Sequence, residues 1–91
     1  MEVAEVQTID IEIVGEHARA VDVLANMWSF TDSETVHLEN CELCDRDLSR
    51  LRGVFRTVKY VCLRRNQLVA PWSIISAVFP NVVHLDCREN P

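Results

Sequence analysis

The sequence repeats itself at intervals of about 25 residues, and no other feature limits its possible folds as strongly. VKYVCLRRNQL (58–68) aligns with VVHLDCRENP (82–91), so that Val58 matches Val82 and Asn66 matches Asn90. Two earlier segments fit the same frame, which places copies near residues 6, 33, 58 and 82, at spacings of 27, 25 and 24, with the last copy truncated. A period of this length is typical of arrays in which each copy adds one strand and one returning segment.

The apolar positions within each copy follow the pattern L-x-x-L-x-L-x-x-N/C-x-L. Because of this pattern, the chain resembles the leucine-rich repeat family. The most specific matches to the pattern are YVCLRRNQL and FPNVVHLDCRENP. The resemblance implies an α/β solenoid with a short parallel β-sheet on its concave side and return helices on its convex side. We therefore expect a single domain over residues 1–91. The apolar slots expected in the first copy are Val6, Ile9, Ile11 and Val14.

Helical spacing of apolar residues follows each of the first three strand segments. The longest such stretch is EHARAVDVLANMWSF, the second is CDRDLSRLRGVF, and the third is APWSIISAVF, which lies between two prolines. Asp45 or Asp47 is expected to cap the second helix. The residues predicted to face the core from these segments are Val21, Leu24, Trp28, Leu48, Leu51, Phe55 and Trp72.

The four cysteines include one C-x-x-C pair, Cys41 and Cys44, which raises the question of a zinc or redox site. A zinc site of this type needs a second closely spaced pair, but Cys62 and Cys87 stand at long, irregular intervals. Cys41 instead occupies the Asn/Cys slot of the repeat. We expect this slot to be a buried turn position that bonds neighbouring backbone groups, and we assign it to Cys41, Asn66 and Asn90.

The resemblance also implies that alternate strand residues project from the concave face, where they form lateral rows. One row is expected to contain Asp10, His37, Cys62 and Asp86, and another Glu12, Glu39, Arg64 and Arg88. A cysteine beside histidines and an aspartate raises the possibility of a nucleophile or a metal site. Short side chains in adjacent rows often form such groups, so we expect no enzyme activity, no metal and no cofactor. The predicted partner-binding residues are His37, Glu39, Tyr60, Cys62, Arg64, Arg65, His84, Asp86 and Arg88.

Charge is distributed unevenly along the chain. Residues 1–45 contain eleven acids and one base, whereas residues 46–91 contain eight bases and three acids. A bipolar docking surface for a protein partner is one interpretation. A solvated face with ion pairs inside the sheet, such as one between Glu39 and Arg64, is the other.

These features favour a non-catalytic protein-interaction module, acting as an adaptor or scaffold. The alternative is an RNA-associated leucine-rich repeat domain, because residues 46–65 contain seven bases and one acid. The bases are split between a helix and a strand face and the whole chain carries a net charge of −5, so nucleic acid is the less favoured partner.

The last strand is predicted to lie at a sheet edge without a return helix to cover it. Unpaired backbone groups at such an edge favour strand pairing, so either the array continues in a longer chain or another molecule covers the edge. Of these we favour self-association through an edge formed by Val82, Leu85 and Cys87. The acidic start of the sequence differs from a signal peptide, and no apolar run approaches the length of a membrane span. An intracellular location without membrane contact is therefore expected.

Overall fold

Strands and helices alternate along the chain in the computed structural model, which describes residues 10–26, 33–51 and 53–91. The elements are β1 (Ile11–Val14), α1 (His17–Ala25), β2 (Thr35–Glu39), α2 (Asp45–Leu48), β3 (Tyr60–Cys62), α3 (Trp72–Val78) and β4 (His84–Asp86). The strands form one parallel sheet in the order β1-β2-β3-β4. The predicted α/β class with a short parallel sheet is confirmed.

The strand register corrects the predicted position of the first copy. Ile11 pairs with Val36, Val36 with Val61, and Val61 with Leu85. The period is therefore 25, 25 and 24 residues, and the first copy begins near residue 8 rather than near 6. A shift by two residues leaves every side chain on the same face of a strand, so the apolar alternation alone did not distinguish the two frames.

Each strand is followed at the same repeat position by a residue in the left-handed backbone region. These residues are Gly15 (φ 72°), Asn40 (φ 53°), Arg65 (φ 57°) and Glu89 (φ 61°). The amides of the first three donate to the carbonyls of Glu39, Arg64 and Arg88 at 3.0–3.1 Å, which continues the sheet ladder into the turns. Gly and Asn adopt this conformation most readily. Gly15 therefore aligns with Asn40, in agreement with the corrected register.

One face of the sheet and the inner sides of the helices form a single core. Two predicted core residues are exposed instead: Val14 by 53% and Trp72 by 57%. Val21 packs against the core, as predicted, and is partly buried. Trp72 begins α3 one turn before Ile75, the first fully buried residue of that helix. Val6, Ile9 and Trp28 lie outside the described residues. The buried apolar residues are Ile11, Ile13, Ala20, Leu24, Val36, Leu38, Cys41, Leu43, Leu48, Leu51, Phe55, Val58, Val61, Leu63, Leu68, Ile75, Val78 and Phe79.

The two cysteines of the C-x-x-C pair have different structural roles. Cys41 is 1% exposed, and its thiol lies 3.2 Å from the carbonyl of Glu39. Cys44 is the N-cap of α2, where its backbone amide donates to the Asp47 carboxylate at 3.0 Å and its thiol lies 3.4 Å from that carboxylate. The carboxylate of Asp45 instead accepts hydrogen bonds from two backbone amides of the next copy. Asp47 thus supports the cap, whereas Asp45 links neighbouring copies.

The ladder slots connect successive turns through side-chain amides. The Oδ1 atom of Asn66 accepts hydrogen bonds from the amides of Cys41 and Leu43 at 3.0 and 3.1 Å. Its Nδ2 atom lies 2.7–3.1 Å from the carbonyls of Leu38, Leu63 and Arg64. In the next copy, Asn90 makes the equivalent contacts to Leu68, Leu63, Cys87 and Arg88. These side chains satisfy turn amides and carbonyls that would otherwise be buried without a partner.

Ser33 is fully buried, and its hydroxyl has no hydrogen-bond partner among the described residues. It occupies the first slot of the second copy, where the third and fourth copies have valine. We expect Ser33→Ala to raise the free energy of unfolding by about 1 kcal/mol, because it removes an unsatisfied polar group with little change in volume. Urea denaturation of the two proteins measures this difference. A loss of stability would mean that the hydroxyl has a partner after all.

Candidate functional site

The face of the sheet opposite the core carries polar side chains from the three strands β2 to β4 and the turns that follow them. We call this surface the polar face, and it comprises Thr35, His37, Glu39, Tyr60, Cys62, Arg64, Arg65, His84, Asp86, Arg88 and Glu89. Parallel pairing arranges these residues in lateral rows: Thr35, Tyr60 and His84 form one, and His37, Cys62 and Asp86 form the next. The backbone register, rather than side-chain flexibility, therefore sets which functional groups are neighbours.

The corrected register changes the predicted rows at β1. Glu12 pairs with His37, and Val14 pairs with Glu39. Asp10 is therefore not beside His37, and Glu12 is not beside Glu39, as the sequence frame had predicted. The expected row of two acids followed by two bases does not form, because an exposed valine takes the place of its first acid.

A mixed cluster of metal-ligand types lies between β2 and β3. One ligand atom from each of His37, Glu39 and Cys62 lies within 4.8 Å of the other two, and all three residues are half-buried. His37 Nε2 and Glu39 Oε1 are 3.1 Å apart. Burial raises the pKa of the Cys62 thiol, and the carboxylates of Asp86 and Glu39 add to this effect, while a backbone hydrogen bond at Arg64 opposes it. The repeat frame predicted Asp86 and His84 as companions of Cys62 but did not predict Glu39.

The basic residues of the polar face form ion pairs with acids of the fourth copy. Arg64 lies 3.9 Å from Asp86 and 3.5 Å from Glu89, and Arg65 lies 2.7 Å from Glu89. Arg88 donates to both oxygens of Asp86 at 3.0 Å, and this hydrogen bonding is the main cause that lowers the pKa of Asp86 to about 2. The predicted pair between Glu39 and Arg64 is replaced by these contacts, since Glu39 pairs with His37.

Glu89 is a polar-face residue that sequence reasoning missed. It lies in the left-handed turn after β4, at the position equivalent to Arg65 in the preceding turn. The equivalence of Arg65 and Glu89 in the repeat alignment was the available signal, because equivalent positions in successive copies are lateral neighbours.

A shallow depression of ≈ 270 Å³ lies across the centre of the polar face. Tyr60 lines it and is 44% exposed, so a contacting molecule can reach its ring. Arg64 contributes a guanidinium whose Nε atom is buried and has no hydrogen-bond partner among the described residues. The full lining is Thr35, His37, Tyr60, Val61, Cys62, Arg64, His84 and Asp86.

The predicted self-association edge is half-buried. Val82, Leu85 and Cys87 pack against the core while remaining partly accessible. Burial is the main cause that raises the pKa of the Cys87 thiol. A second depression of ≈ 310 Å³ follows β4 along residues 84–88. Within the described residues, β4 pairs with β3 only, and self-association through it stays a prediction.

Comparisons with known proteins give no match to this chain. No family model matches the sequence, and neither a curated protein nor a solved structure shows significant similarity to it. In the part of the chain that the structure describes, every helix is too short or too polar to cross a lipid bilayer. The geometry of the polar face is therefore the basis for a functional hypothesis.

Proposed function

We propose that this chain is a short leucine-rich repeat solenoid that acts as a non-catalytic interaction module, as an adaptor or scaffold. Three features support the repeat assignment: the period of 25, 25 and 24 residues, the left-handed residue after each strand, and the asparagine ladder. Each copy contributes a strand to one stiff sheet, and such sheets serve as binding surfaces in repeat proteins.

The main support for this function is the contrast between the two faces of the sheet. One face is buried in the core, whereas the other presents an accessible tyrosine and an arginine that line the same depression. Tyrosine and arginine are enriched among residues that dominate protein–protein binding energy. A protein that inserts a carboxylate or carbonyl oxygen beside Arg64 and packs on Tyr60 would use both groups.

We expect the double variant Tyr60→Ala/Arg64→Glu to lose the proteins that the wild-type chain captures from cell extract. A partner identified in this way should bind the variant at least tenfold more weakly, equivalent to ~1.4 kcal/mol. The matched control is Trp72→Ala/Arg50→Glu, which changes one exposed aromatic residue and one arginine outside the polar face. Affinity measurements by calorimetry compare the three proteins after circular dichroism has established that each is folded. Equal partner affinity for both double variants would contradict the polar-face proposal.

The RNA alternative has less support from the side-chain contacts. The polar-face arginines are paired with Asp86 and Glu89, and Arg50 lies 3.9 Å from Asp47. Pairing reduces the positive charge available for phosphates, on which non-specific RNA affinity depends. Filter binding at two salt concentrations tests this alternative. Tight binding with a steep salt dependence would favour RNA over a protein partner.

A further inference from the structure

His37, Glu39 and Cys62 bring an imidazole, a carboxylate and a thiol together on the polar face. Their ligand atoms lie within 4.8 Å of one another, and each side chain is half-buried. The group is neither a cluster of acids nor a single cysteine, because it combines three chemically different donors. The remaining described cysteines, Cys41, Cys44 and Cys87, take no part in it.

The sheet holds these three residues in a fixed triangle. His37 and Glu39 are two residues apart on β2, so their side chains project from the same face. Cys62 is the register partner of His37 on β3. Both strands lie within a hydrogen-bonded sheet, and sites built on strands keep their geometry better than sites built on loops.

We propose that this chain binds one zinc-class divalent ion through His37, Glu39 and Cys62, with the fourth coordination position open to solvent. The donor set selects the class of metal. Thiolate and imidazole favour Zn²⁺ and similar transition ions, whereas Mg²⁺ and Ca²⁺ require oxygen ligands. Three protein ligands with one open position form a recognised zinc arrangement.

The distances require only a local contraction. In a tetrahedral zinc site, donor atoms are separated by roughly 3.3–3.6 Å, as follows from metal–ligand bonds of about 2.0–2.3 Å. His37 Nε2 and Glu39 Oε1 are already 3.1 Å apart, so the movement needed is mainly that of the cysteine sulfur. Rotation about side-chain bonds can supply this approach without a change in the strands.

Charge and proton balance are consistent with a divalent ion. The thiol of Cys62 releases its proton to the buffer and binds as a thiolate, while His37 binds as a neutral imidazole that keeps one N–H. Together with the Glu39 carboxylate, the ligands carry two negative charges, which balance the ion. Asp86 is on the other side of Cys62, but Arg88 donates to both of its oxygens. Asp86 is therefore engaged elsewhere and leaves the fourth position open.

Titration of the reduced, metal-free protein with Co²⁺ tests the proposal directly. The expected result is one equivalent bound, with a thiolate-to-cobalt charge-transfer absorption, and displacement of the cobalt by one equivalent of Zn²⁺. Cys62→Ser and His37→Ala should each weaken binding by about 100-fold or more, since loss of a mere outer-sphere partner already costs 10–100-fold. Cys62→Ser should also lose the charge-transfer absorption.

Two control variants keep the test independent of folding effects. Cys44→Ser removes a thiol at the α2 cap, and His84→Ala removes a histidine of the polar face that is outside the cluster. Both should bind cobalt as the wild type does. Zinc should raise the melting temperature of the wild type and the controls but not that of Cys62→Ser, because only a native-state ligand stabilises the fold. Wild-type binding weaker than millimolar, or unchanged binding by Cys62→Ser, would overturn the proposal.

Discussion

Replacing Asn66 with alanine is expected to lower the free energy of unfolding by about 3–5 kcal/mol, because several buried backbone groups lose their partner at once. The side chain is 5% exposed and contacts five backbone groups in two successive copies. In the variant, the backbone amides of Cys41 and Leu43 would lose their hydrogen-bond acceptor, because alanine has no side-chain oxygen. A small domain has a total stability of only about 5–15 kcal/mol, so the variant is expected to be close to unfolding at room temperature.

Asn90→Ala is the matched comparison, since Asn90 occupies the same slot one copy later. It makes four backbone contacts but is half-buried at the edge of the sheet, where water can replace part of the lost bonding. Its expected cost is about 1–2 kcal/mol. Urea unfolding followed by circular dichroism compares the two variants. Equal losses in the free energy of unfolding would show that burial does not control how much a ladder asparagine stabilises the fold.

Ile13→Ala is expected to cost about 2–4 kcal/mol, whereas Val14→Ala should change stability by less than about 0.5 kcal/mol. Ile13 is 4% exposed and lies opposite Leu38, but Val14 is 53% exposed and lies opposite Glu39. Alanine at position 13 leaves a cavity in the core beneath β1. Alanine at position 14 removes methyl groups that are already largely in contact with water.

This adjacent pair distinguishes the two possible frames of the first copy. The sequence frame places Val14 in the buried turn slot that Cys41 occupies in the next copy. The strand register instead places Ile13 in the buried slot of Leu38 and leaves Val14 beside Glu39. Guanidinium denaturation of the two variants measures both values under one condition. A larger loss at Val14 than at Ile13 would restore the 27-residue spacing and contradict the observed pairing.

Repetition within the sequence was sufficient to predict most of the backbone. The match of Val58 with Val82 and of Asn66 with Asn90 predicted successive parallel strands and a polar ladder in the turns. The apolar spacing of Leu48, Leu51 and Phe55 predicted that all three face the core, and all three are buried. The helix expected over this segment is shorter than predicted, because α2 ends at Leu48. The prediction was wrong at Trp72, since periodicity reports the side of a helix but not how far the neighbouring core extends along it.

The candidate site was only partly predictable from the sequence. The rows that contain His37, Cys62 and Asp86 follow from repeat spacing, because residues one period apart become lateral neighbours. The pairing of Glu39 with His37 rather than with Arg64 depends on side-chain directions. In the repeat frame, Glu39 has more than one basic side chain within reach. The spacing alone does not show which of these pairs forms.

The sequence by itself determined the period, the alternation of buried and exposed strand residues, and the positions of the ladder asparagines. These properties follow from local periodicity and backbone bonding requirements, which each copy expresses again. Only the tertiary structure decided the register of β1 and the meeting of Glu39 and His37 with Cys62. A two-residue shift preserves the apolar pattern, so the register required the lateral hydrogen bonds between strands. The cluster likewise required side chains 23 to 25 positions apart in sequence to be oriented toward one point, which no local pattern specifies.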